Sequence, residues 1–244
     1  MSTKIGFLLN TTLLLTVAAS PISATAVSAV SATYLPAVSA PNGLATGQLT
    51  AIGDGNDHAQ GILGGGQWTM PLTYETGARI RGSVGFGIGS DASAREAVDA
   101  SIAAFWRRPD QGFVELAANA IHLGDTDLFG GSLIGGLYRE AWDFEARGVF
   151  WGSDGSTAGG GQLRVGHYLT EDLRFSLGVG AGSEHTYHGE FSAIWQPDLA
   201  QNLGFQFTGG GGAIGGDPVY TGTIAVFYYF GEGRTLRRKI RQDW

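Results

Sequence analysis

The sequence has no cysteine, two methionines and seven prolines among 244 residues, and only 15% of its positions are charged. Without cysteine there is no disulfide framework and no thiolate metal site. Past the N-terminal segment no apolar run is long enough for a membrane-spanning helix. A basic excess is missing too. The formal charge is -7, which argues against nucleic acid, because neutralising phosphates takes a basic face. Phosphate loops are also absent. The glycine runs at 64–67, 159–162 and 209–212 are not followed by Lys-Ser/Thr and lie in no strand-to-helix context. No cofactor is expected.

What the chain does have is glycine, 41 residues of it, and 43% hydrophobic residues. The N-terminus reads as an export signal. Lys4 supplies the positive start, Ile5 to Val17 an apolar run, and Ala24-Thr25-Ala26 a small-x-small cleavage pattern. Residues 1–26 are therefore set aside as a signal peptide, and 27–45, rich in Ala, Ser, Val and Pro, read as a flexible leader.

From residue 46 onward the pattern alternates. In "EDLRFSLGVGAG" (171–182), Leu173, Phe175, Leu177, Val179 and Ala181 are apolar, and the residues between them are charged, polar or glycine. Successive strand residues point to opposite faces, so each such run has one greasy and one wet face. The same alternation runs through Ala78 to Ile88, Val98 to Trp106, Trp142 to Phe150 and Tyr187 to Trp195. Twelve strands are expected, near 46–52, 60–70, 77–88, 95–106, 111–122, 127–138, 141–151, 160–169, 171–182, 186–195, 202–211 and 219–230. The stretch "ASAREAVDASIAAFW" contains good helix formers, but its alternation from Val98 to Trp106 favours strand. On the last strand Ala225, Phe227 and Tyr229 make the second face apolar as well, and the pattern weakens there. Strand spacing of about 16 residues exceeds that of a sandwich. It suits strands of about 10 residues, which cross a bilayer when tilted.

The connections fall into two alternating sets. One is rich in Gly and Asp, including "GDGNDH", "GSDASA" and "GSDGSTAGG"; the other holds tight turns such as "TYET", "RE" and "TED". Short turns on one side and longer loops on the other are expected of an up-and-down barrel, with an even strand count if the chain starts and ends on one side. Ten strands satisfy that condition as well as twelve.

The export signal, the missing cysteine, the Gly-rich alternating strands and the aromatics at strand ends (Trp68, Trp106, Trp142, Phe150, Trp151 and Trp195) together resemble Gram-negative outer-membrane β-barrel proteins. The likeness is porin-like and points to no specific subfamily. In "TIAVFYYF", Ile224, Val226, Tyr228 and Phe230 look like the C-terminal assembly signal of that class, which the barrel-insertion machinery reads. The departure is the extension "GEGRTLRRKIRQDW" after Phe230. The resemblance implies an all-β, closed antiparallel up-and-down transmembrane β-barrel over 46–230, placed in the cell outer membrane against outer-membrane lipid and lipopolysaccharide. It implies a passive channel for small hydrophilic solutes and no enzyme. A soluble secreted β-protein, greasy face inward, is the alternative fold.

If the greasy face meets lipid, the wet face lines the lumen. By parity that face carries Arg79, Arg81, Asp99, Glu115, Asp143, Glu145, Arg147, Arg164, Arg174, His188 and Glu190. A charge in a dry core costs several kcal/mol unless paired. Two readings stand side by side: the charges line an aqueous pore, or they pair across the lumen and close it into a structural or assembly-linked barrel. A third, an outer-membrane lipid hydrolase, needs a nucleophile, a base and an orienting acid. Its best source is "SEHTYHGEFS", with Ser183, Glu184, His185, His188, Glu190 and Ser192. His185 and His188 alone make a weak metal pair, and no metal site is expected. The loop residues Asp54, Asp57, Asp125, Asp127 and Asp154 read as turn chemistry rather than a calcium or lipopolysaccharide site. Finally, Arg234, Arg237, Arg238, Lys239 and Arg241 make residues 231–244 a basic tail. It reads either as a solvated end or as a patch for anionic headgroups or peptidoglycan.

Overall fold

The computed structural model describes residues 36–38, 40–54, 57–89, 94–153, 156–183, 185–231 and 234–243. The signal peptide, most of the leader, Asp154, Glu184 and Trp244 lie outside them.

Twelve strands make a single closed antiparallel wall: β1 (Asn42–Gly53), β2 (His58–Pro71), β3 (Thr76–Gly89), β4 (Ala94–Arg108), β5 (Gly112–Leu123), β6 (Thr126–Arg139), β7 (Trp142–Ser153), β8 (Ser156–Thr170), β9 (Leu173–Gly182), β10 (Thr186–Trp195), β11 (Leu203–Ile214) and β12 (Asp217–Tyr229). Each strand pairs with its sequence neighbours, and β12 closes on β1 from Leu44↔Tyr229 to Gly53↔Tyr220. Closure leaves no free sheet edge, which is what a wall in lipid requires.

Burial is inverted relative to a soluble protein. Leu49, Ile62, Phe86, Leu116, Leu133, Phe150, Leu163, Leu177, Phe191 and Ile224 are exposed, while Arg79, Asp99, Glu115, Asp143, Glu145, Arg164 and Arg174 are buried. Each large apolar side chain left in water forgoes about 1.5–3 kcal/mol of burial. A belt of them around a whole barrel belongs in hydrocarbon, so the greasy face of 171–182 points outward. Trp68, Trp106, Trp142 and Trp195 are exposed near one end of their strands, as an interfacial aromatic girdle is. Trp151 differs from the expectation. It faces inward and packs on the interior cluster of Leu63, Ala97, Ile121 and Leu123, because its parity is opposite to that of Phe150.

The strand expected at 95–106 is strand over 94–108, and two further expectations are corrected. The barrel begins at Asn42, so the end of the supposed leader is strand. The length asymmetry of the connections is absent. On the Gly/Asp-rich side, Gly215 and Gly216 alone join β11 to β12, with φ of 58° and 92°, the left-handed pair that a two-residue hairpin turn demands. The longest connection, 196–202, sits on the opposite side, where the chain also ends. The sequence blocks overstated loop length because strand pairing continues into them; β8 already starts at Ser156.

Inward glycines let large side chains lie flat on the neighbouring strand. A Cβ on Gly204 would meet the Phe227 ring, and one on Gly166 would meet the Arg174 guanidinium.

Leu177 is 69% exposed in the middle of β9. Leu177→Arg is expected to destabilise the lipid-embedded barrel by about 2–4 kcal/mol, measured by urea unfolding in vesicles. No loss would place that face out of the lipid.

Candidate functional site: the lumen and its terminal mouth

The interior charges come from alternate positions of β3 to β10 and reach partners on the adjacent strand or over one intervening strand. Arg79 on β3 pairs with Glu115 on β5 at 2.6 Å. Arg164 on β8 is shared by Glu190 on β10, through Nε at 3.0 Å, and Glu145 on β7 at 3.7 Å. Arg174 on β9 lies 3.3 Å from Asp143 on β7. Asp99 accepts a hydrogen bond from the Ser83 hydroxyl. The pairs follow the wall rather than crossing the lumen.

The opposite wall carries hydroxyls and amides instead of charge. Register places Ser176, Ser192, Thr208, Thr223 and Thr50 opposite one another in turn, on β9, β10, β11, β12 and β1. Thr50 and Thr223 are 3.1 Å apart, and Gln206 donates to Ser192 at 3.3 Å and Thr208 at 3.1 Å. The lumen therefore has a charged side and a neutral polar side.

Five arginines and five carboxylates stand among the expected lumen residues, but they are not matched one to one. Among the described residues each of the expected lumen carboxylates has a partner: Asp99, Glu115, Asp143, Glu145 and Glu190 are all held as described. Arg81 and Arg147 have no hydrogen-bond or ion-pair partner among the described residues, and both are half-buried. They lie within electrostatic reach of each other and of Glu115, Arg147 also of Glu145 and Arg81 also of Asp99. Arg81 also lines a cavity of about 60 Å³ with Thr46, Gln48, Gln67, Asp99 and Gln206. A guanidinium without a carboxylate is tolerated where water reaches it.

The "SEHTYHGEFS" segment does not assemble a hydrolytic centre among the described residues. Ser192 bonds to Gln206 and Thr208, Glu190 is held by Arg164, and His188 Nε2 faces the Gln162 amide at 3.4 Å. His185 sits in the exposed turn with φ 54°. Asp54 accepts from the Asp57 backbone N–H at 2.8 Å, which is turn chemistry.

The mouth where the chain ends is filled, and sequence reasoning missed this. The tail, expected as a solvated or headgroup-facing patch, turns back into the barrel. It forms a helical turn, Leu236–Arg238, that continues as a π-turn over Lys239–Asp243. Leu236 and Ile240 are 0% exposed and pack with Leu44, Tyr168, Ile194, Phe227 and Tyr229. Arg241 bonds Asp143 at 2.8 Å and lies over the rings of Tyr138 and Tyr168. Lys239 donates to Gln196 at 2.7 Å and sits over Tyr229. Asp172, in the β8–β9 turn, accepts the Leu236 N–H at 2.7 Å and the Gln196 amide at 3.0 Å. Partial burial pushes its carboxyl above the usual range, against the opposing Leu236 bond. From the other terminus, Ala37 and Val38 are buried against Phe105, and Gln242 donates to the Pro36 carbonyl at 3.3 Å. The available signal was the spacing of Leu236 and Ile240, one helical turn apart within a basic stretch.

Arg79→Ala is expected to cost about 3–5 kcal/mol by stranding Glu115, while Arg79→Met with Glu115→Leu restores most of it. Urea titration of the embedded barrel measures both. A single change costing under about 1 kcal/mol would mean that Glu115 is already well hydrated.

No protein-family model matches the chain, and no curated protein does. Solved structures do match. An outer-membrane channel from Pseudomonas putida F1 superposes with TM-score 0.65 at 11% identity, covering 84% of this chain and 100% of that one. The KdgM porin, solved in complex with disordered oligogalacturonate, gives 0.57 at 8% identity, covering 76% and 99%. The NanC porin gives 0.56 at 9% identity, covering 75% and 98%. The β domain of the Bordetella autotransporter BrkA gives 0.52 at 12% identity. With its lipid-facing belt and polar interior, this chain has the fold of an outer-membrane β-barrel, shared with porins and autotransporter barrels.

Proposed function

We propose that the protein is an outer-membrane channel that passes small hydrophilic solutes passively and favours anions. The observation that carries this reading is the pair Arg81 and Arg147, left over after the lumen carboxylates have found their partners. Carboxylates paired with arginine at the wall exert little field on a passing ion, whereas two guanidiniums without an ion pair attract negative charge. The fold shared with solved channels supports the same reading. On it, the chain works without enzymatic chemistry, and its partners are outer-membrane lipid, lipopolysaccharide and the solute. The mouth holding residues 36–38 and 234–243 faces the periplasm. Ile224, Val226, Tyr228 and Phe230, exposed along β12 and just past its end, are what the insertion machinery reads.

One observation favours a second reading, a closed-lumen barrel: the tail occupying the terminal mouth. Planar-bilayer recording in a salt gradient decides between them. The channel reading predicts discrete steps and an anion-selective reversal potential, with Arg81→Ala plus Arg147→Ala shifting it toward cations. A cation-selective wild type, or selectivity unmoved by the double change, contradicts the anion preference. Absence of steps in both the full chain and a full chain carrying Leu236→Asp and Ile240→Asp contradicts the channel.

A further inference from the structure

We infer that residues 234–243 are a releasable stopper, docked in the terminal mouth and latched on Asp143, that gates the lumen. The inference rests on the channel reading and supplies its regulation.

The seat is built by the wall itself. Leu236 and Ile240 enter an apolar cup formed by β1, β8, β10 and β12 through Leu44, Tyr168, Ile194, Phe227 and Tyr229. Phe227 and Tyr229 belong to the apolar inner face of the last strand, which a water-lined wall has no use for. Their partner is the tail. From this cup the polar contacts spread round the mouth. Arg237 pairs with Glu171 at 2.5 Å; Lys239 bonds Gln196 and the Gln201 carbonyl; Arg241 bonds Asp143 and the carbonyls of Glu140 at 2.8 Å and Trp142 at 3.2 Å. Gln242 hands the chain on to Pro36, whose neighbours Ala37 and Val38 reach Phe105 on β4. The stopper thus touches the wall from β12 and β1 round to β6, and Pro36–Val38 carry the contact on to β4.

Two features make it removable. The first is the latch. Asp143 is held by Arg241 at 2.8 Å and by Arg174 at 3.3 Å. When Arg241 leaves, Asp143 keeps Arg174, and no buried carboxylate is stranded. Arg79 and Glu115 have no such substitute, since neither makes a second ion pair among the described residues. That pair is a fixture, and the Asp143 pair is an exchange. The second feature is where the remaining contacts lie. Most of the tail's polar partners sit in turns at the rim, at Glu140, Glu171, Gln196 and Gln201. Water can replace the tail there as it leaves.

Because the chain has no cysteine, a thiol introduced at position 240 is unique. The full chain, Arg241→Ala, Leu236→Asp plus Ile240→Asp, Ile240→Cys and, as an exposed control, Arg139→Cys are refolded. Each is checked for the compact SDS-resistant form and recorded in planar bilayers. The full chain should show rare openings. Arg241→Ala and the double Asp variant should raise the open probability about tenfold or more, with unchanged step size, since the wall is untouched. A water-soluble maleimide should modify the thiol of Ile240→Cys slowly, far more slowly than that of Arg139→Cys, and modification should hold the channel open. Equal open probability in all variants overturns the gate. So does an Ile240→Cys thiol that stays inert while the Arg139→Cys thiol reacts, because the tail is then a fixed part of the barrel. If no variant conducts, the channel reading fails and the gate fails with it; modification at position 240 then still reports whether the tail leaves its seat, which separates the two failures.

Discussion

Every backbone N–H and C=O in the wall must find its partner inside the wall, because hydrocarbon offers none. That constraint explains the closure of β12 on β1, the short connections and the antiparallel order. It also explains the inverted side-chain distribution. Once the ladder is closed, the outer face is free to be all Leu, Ile, Val and Phe, and everything polar has one place left to go.

That place is crowded, and its electrostatics follow from geometry. Neighbouring inward positions on a twelve-stranded wall are close enough for an arginine to reach a carboxylate across one strand, as Arg79 and Arg164 do. Pairing along the wall keeps the centre free of bridges. It also leaves a remainder, Arg81 and Arg147, because one arginine serves both Glu145 and Glu190 and Asp99 is held by the Ser83 hydroxyl. The opposite wall, with its row of Ser and Thr, adds hydrogen-bonding capacity without charge. Closed ladders thus leave an unevenly charged polar interior, and the tail occupies its terminal mouth.

Much of this was legible in the sequence, and the reason is physical. Lipid on one side and water on the other impose a period of two, so strands could be placed to within a few residues from Leu173–Ala181 and similar runs. The closed twelve-strand fold follows from those placements. Parity likewise separates Arg79 from Ile80 and Glu145 from Phe144. What parity cannot give is which arginine meets which carboxylate, since that depends on stagger between strands. It also mistook Trp151 for a girdle residue. The tail was the largest miss. Its seat is assembled from Tyr168, Ile194, Gln196 and Tyr229, far apart in sequence and brought together only by closure. Yet the seat did leave a trace. The last strand lost its alternation at Ala225, Phe227 and Tyr229, and two of these, Phe227 and Tyr229, belong to the cluster around Leu236 and Ile240.

The central claim is that the greasy face looks out to lipid and the polar face looks in. The most direct test scans single nitroxide-labelled cysteines along residues 173–182 of the barrel in vesicles, comparing collision with oxygen, which partitions into lipid, and with a water-soluble nickel chelate. The account predicts high oxygen access at 173, 175, 177, 179 and 181, and protection from oxygen at the positions between. A reversed alternation, or a uniformly water-accessible strand on a soluble product, would turn the greasy face inward and contradict it.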